Sequence, residues 1–138
     1  SVWSVTSWNE LRRDGLAVDR HNFLNPSDQR TAYVAHKLRN AEGPVIAVSD
    51  YMRAVQDQIA PWVSQDFVSL GTDCFGLSDT RGALRRHFKV DAESIVIATL
   101  SALAKSGDVK ASVVQEAINK YQINDINAAD PGNTEGSG

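Results

Sequence analysis

Two short apolar runs limit how this chain can fold: Val45–Val48, read VIAV, and Phe67–Leu70, read FVSL. The first is continuous and rich in β-branched residues, which marks a strand buried on both faces. Between the runs, Met52, Val55, Ile59 and Trp62 recur at helical spacing, with Asp50 as the expected N-cap and Pro61 interfering near the end. Strand, helix and strand in this order imply the α/β class with a mainly parallel sheet.

The flanking sequence extends the alternation. Val2, Trp3 and Val5 predict a first short strand by their period-2 character. Ser7 with Glu10 three residues on is a capping-box pattern that starts a helix. That helix runs to about Leu24, loosened by Gly15, and Asn25-Pro26 ends it. Tyr33, Val34 and Leu38 mark a short second helix before the break at Gly43-Pro44. After residue 81, Leu84 and Phe88 share a helical face. Asp91 caps a long helix that continues through Ile95, Leu100 and Leu103 to Gly107. Val113, Val114, Ala117, Ile118 and Tyr121 form one side of a final amphipathic helix. The expected division is a domain over residues 1–123 and a polar, Gly-rich, disordered tail over 124–138. Three strands make a small sheet, and the start at Ser1 inside a strand implies that a first strand–helix unit is absent.

Charge and cysteine content narrow the function classes. A net charge of −3 argues against nucleic acid, whose binding needs clustered cations on phosphates. Arg81, Arg85, Arg86 and Lys89 form the one basic run, readable as a solvated helix face or as a patch for an acidic partner. One cysteine, Cys74, allows no internal disulfide and fits a reducing cytoplasm. No apolar run reaches the ~18 residues of a membrane span.

Residues 71–81, GTDCFGLSDTR, are the stretch richest in candidate chemistry. They follow a strand and precede a helix, where ligands and neighbouring domains dock in open α/β sheets. The spacing is neither a P-loop nor GxGxxG. Cys74 has no CxxC partner, and His21, His36 and His87 lie on separate predicted helices, so neither a metal site nor a Cys–His pair is indicated. Asp73 and Asp79 could act as an acid–base pair only if the turn joined them in a cleft. The simpler reading has Asp73 bracing the loop, with Ser78, Asp79 or Thr80 capping the next helix. The residues alone therefore predict an α/β domain without a complete active site.

The wording of the chain adds a resemblance. The run DFVSLGTDCFGLSDTRGALRRHFKVDAESIV resembles the C-terminal domain of the homodimeric-type pyruvate dehydrogenase decarboxylating component, whose pattern is LGTDGFGRSDSRE followed by LRRHFEVDA. VWSVTSWNELRRDG and Asp50-Tyr51-Met52 are similar to further segments of that family. The resemblance implies a transketolase C-terminal-domain-like fold, a three-layer arrangement of a mixed, mainly parallel sheet between helices. It implies a whole enzyme that decarboxylates pyruvate on thiamine diphosphate and magnesium, both bound by domains outside this sequence. It also implies transfer of acetyl to lipoyl-lysine of the dihydrolipoamide acetyltransferase, within a cytoplasmic homodimer. No catalytic, cofactor or metal residue transfers onto this chain. Asp73, Phe75, Gly76, Ser78, Asp79 and Arg81 become a candidate interdomain or interface loop. A non-catalytic interaction module and a domain of a transketolase-type sister enzyme are the alternatives. Two positions depart from the pattern. Cys74 replaces a glycine, at a cost of about 1 kcal/mol if the backbone there has positive φ. Gly82 stands where the family usually has glutamate.

Overall fold

The computed structural model describes residues 1–74 and 76–128. Its centre is a parallel pair of strands, β1 (Val45–Val48) and β2 (Phe67–Leu70), in the register Val45 to Phe67 through Val48 to Leu70. The helices are α1 (Trp8–Leu24), α2 (Tyr33–Leu38), α3 (Arg53–Asp57), α4 (Arg81–His87), α5 (Ala92–Ser106) and α6 (Ala111–Tyr121). α3 forms the crossover between the strands. Successive strand side chains point to opposite faces. The Ser69 hydroxyl donates to Asp57 of α3 at 2.5 Å, whereas Val68 lines a shallow cavity with Ala98, Ser101 and Ala102 of α5. Helices thus flank the parallel sheet, as the α/β reading requires.

The described sheet has two strands, not three. Residues 1–5 are exposed and make no ladder, with Val2 103% and Trp3 55% exposed. β propensity alone does not make a strand, because a strand needs a partner edge for its backbone groups.

The starts of α1, α4 and α5 follow their capping side chains. The Ser7 side chain accepts from the Glu10 amide at 3.2 Å. Only half of the capping box forms, since the Glu10 carboxylate turns forward to Arg13. Gly15 does more than loosen α1. It is buried under the indole of Trp62, and a Cβ at this position would lie inside that ring. The Trp62 Nε1 then donates to Asp19, closing the contact between α1 and the segment after α3.

The helix expected through Trp62 breaks into α3 and a separate 3-10 turn, Ala60–Trp62. Pro61 has no amide to donate and disfavours helix at the residue before it. Met52, expected on the buried side, is 56% exposed, and Asp50 does not cap. Asp91 caps α5 through the Ser94 amide at 2.9 Å, and Gly107 ends it at φ 88. A 3-10 turn at Ile126–Ala128 packs on α4, so described structure continues past residue 123. Residues 129–138 of the expected tail lie outside the described residues.

Candidate functional site

The carboxyl ends of β1 and β2 are stitched together by the loops that leave them. The Leu70 carbonyl accepts from the Ser49 amide at 3.1 Å and from the Gln56 side chain at 2.8 Å. The Thr72 amide donates to the Tyr51 carbonyl at 2.9 Å, and its hydroxyl donates to the Asp50 carbonyl at 2.6 Å. Gly71 permits this approach, because a Cβ there would strike the Tyr51 carbonyl and come within 3.0 Å of the Arg53 nitrogen.

Asp73 completes the join. One carboxylate oxygen accepts from the Arg53 amide at 2.8 Å, at the first residue of α3, and the other pairs with the Arg53 guanidinium. The helix cap sought at Asp50 is therefore supplied by Asp73, twenty positions after the Arg53 amide that it caps. The Arg53 amide, followed by its guanidinium, holds the Asp73 carboxyl below the usual carboxylate range.

The rest of the loop faces outward. Gly76, Ser78, Asp79 and Arg81 are exposed, and Leu77 is 54% exposed. Phe75 lies outside the described residues. Of the three capping candidates, Thr80 takes the role, accepting from the Ala83 amide at 3.3 Å. Asp79 accepts from the Thr80 amide at 2.7 Å. Asp73 and Asp79 thus serve separate backbone contacts and do not form a shared acid–base pair. Cys74 is exposed, and the non-glycine residues at positive φ among those described are Lys89 and Gln122. The positive φ that would strain Cys74 is therefore not found there.

The basic run divides into different environments. Arg81 and Arg85 are solvent-facing, but Arg86 is 1% exposed. Its guanidinium pairs with Asp91, lies 3.4 Å from Glu93 and donates to the Tyr121 carbonyl at 2.8 Å. Lys89, at φ 58, reverses the chain after α4 and donates to the Ile123 carbonyl. Arg86 of α4 and Lys89 just after it thereby meet carbonyls at and just beyond the end of α6, where a helix dipole favours positive charge. Burial pushes the Asp91 carboxyl up. The Ser94 hydroxyl and amide, then Arg86, outweigh this and hold it below the usual carboxylate range. That hydroxyl lies beside the carboxylate without forming an aligned hydrogen bond. Sequence reasoning missed this node. Its one legible signal was the Asp91 cap five residues after Arg86.

Among the described residues, no group of three His, Cys, Asp or Glu side chains could hold a metal ion. No described helix is long and apolar enough to cross a membrane.

The family model for the transketolase-like TK C-terminal domain matches residues 1–91. The pyruvate dehydrogenase E1 component of Mycolicibacterium smegmatis is 54% identical over 129 residues, covering 93% of this chain and 14% of that protein. The E1 component of Mycobacterium tuberculosis is 53% identical over 137 residues, covering 95% of this chain and 15% of that protein. That of Pseudomonas aeruginosa is 52% identical over 124 residues, covering 88% and 14%. This chain spans about one-seventh of the length of these relatives. The parallel β1–α3–β2 unit and the sequence match together make the chain a member of the transketolase-like TK C-terminal domain family.

Proposed function

We propose that this chain is the C-terminal structural and assembly domain of a thiamine diphosphate-dependent pyruvate dehydrogenase component. The whole enzyme would decarboxylate pyruvate and pass the acetyl group to lipoyl-lysine of a dihydrolipoamide acetyltransferase. Thiamine diphosphate and magnesium belong to domains outside this sequence. The protein works as a cytoplasmic homodimer, without nucleic acid or membrane partners. The observation that carries this reading is 53% identity to a pyruvate dehydrogenase E1 component over 95% of the chain.

Within that enzyme, the loop containing Asp73, Phe75, Gly76, Ser78, Asp79 and Arg81 serves as the contact to a neighbouring domain or subunit. The latch between Asp73 and Arg53 supports this role, since it holds the base of an otherwise exposed loop in one position. Calorimetric titration of the 138-residue chain with thiamine diphosphate and magnesium is expected to show no binding. Micromolar affinity would overturn the division of labour. Assaying the intact protein on pyruvate and on sugar phosphates separates this reading from a transketolase-type activity.

A further inference from the structure

Helix α1 carries two faces. Its inner face holds Gly15 against Trp62, and the Asp14 carboxylate accepts the Tyr33 amide at 2.6 Å. Its outer face is a second, separate stripe. Arg12, Leu16, Arg20 and Phe23 follow one another at spacings of four, four and three, so they align along one side. Leu24 borders them. Leu16 is 45%, Phe23 87% and Leu24 65% exposed, while Arg12 and Arg20 are both exposed.

The charge on this helix is one-sided. α1 has three carboxylates, and each is engaged within the domain: Glu10 with Arg13, Asp14 with the Tyr33 amide, and Asp19 with Trp62 Nε1. Arg12 and Arg20 have no ion-pair partner among the described residues. A basic, apolar stripe therefore stands on a chain whose net charge is −3.

We propose that this outer face of α1 docks an acidic amphipathic helix of a partner protein. Leu16 and Phe23 would seat the apolar residues of that helix, and Arg12 and Arg20 would meet carboxylates on its flanks. Leu16 and Phe23, seven residues apart on one side of α1, give two apolar contacts along which a second helix can pack. Charge complementarity selects an acidic partner over a basic one. The net negative charge of the chain disfavours an anionic membrane, whose attraction needs a surplus of nearby cations.

The test uses a helical peptide with leucines on one side and glutamates on both flanks. Its controls are the same peptide with lysine for glutamate, and vesicles of anionic lipid. Anisotropy is expected to show binding of the acidic peptide alone, weakened by raising salt. Arg12→Glu with Arg20→Glu should reduce affinity about tenfold or more, because like charges oppose across the contact. Phe23→Asp should abolish binding, with unchanged circular dichroism confirming the fold. No binding, equal binding of both peptides, or preference for vesicles would overturn the proposal. So would self-association of the chain that Phe23→Asp removes. In the intact protein, a cysteine introduced by Phe23→Cys, in a background with Cys74 and any other reactive cysteine replaced by serine, should react readily with a maleimide. Protection there would assign the stripe to the protein's own packing instead.

Discussion

Replacing Arg86 with methionine tests the buried node most directly. Methionine keeps most of the side-chain bulk and removes the guanidinium. Asp91, 6% exposed, would then hold an uncompensated buried charge, and the Tyr121 carbonyl would lose its donor at 2.8 Å. Breaking a buried pair by removing one partner costs about 3–5 kcal/mol. For a domain of this size that corresponds to a fall in Tm of roughly 10 °C or more. Urea denaturation followed by tryptophan fluorescence reads the loss directly. Asp91→Asn should also be costly, because it leaves Arg86 buried without its carboxylate. The double variant should be less destabilised than the sum of the singles, by about 1–3 kcal/mol. The pH dependence has a definite sign. The folded-state pKa of Asp91 is depressed, so its contribution is complete above the ordinary carboxylate value and drains away as pH falls through the lowered one. The gap between wild type and Asp91→Asn should be flat from about pH 5 to 8 and shrink below about pH 4. Single losses under about 1 kcal/mol, or strict additivity, would refute the reasoning.

Other substitutions probe the remaining contacts. Gly15→Ala should destabilise by about 1–3 kcal/mol through overpacking against Trp62, although alanine is the better helix former; a rise in Tm would show that the indole moves aside freely. Thr80→Ala should cost about 1 kcal/mol by removing the α4 cap, measured by denaturant midpoint. Cys74→Gly should not stabilise the protein, because Cys74 is not among the described residues at positive φ; a higher midpoint would show strain at that position. Asp73→Ala should accelerate hydrogen exchange at the Arg53 amide and weaken subunit assembly of the intact protein before affecting turnover. Normal assembly with abolished turnover would place Asp73 in the chemistry.

The sequence was most informative where local physics decides the outcome. β1 and β2 are apolar enough to need burial, and Ser7, Asp91 and Gly107 act on backbone groups within a few residues of themselves. These elements fall where the sequence places them, and even Ile95–Ile97, strand-like by propensity, follow the helical period of α5. Residues 2–5 show the limit of that approach, since a strand also requires a partner edge. The candidate loop was recognisable as a stretch, and bracing by Asp73 was expected. Its partner Arg53 was not, because capping of α3 comes from across the sheet. The same holds for Arg86, whose helical position suggested a solvated face. Only the packing of α4 against the ends of α5 and α6 turned it inward, where a carboxylate and two helix-terminal carbonyls compensate its desolvation. Local capping and burial are written in short spans of sequence. Which distant groups come to satisfy a buried charge is decided by the tertiary structure alone.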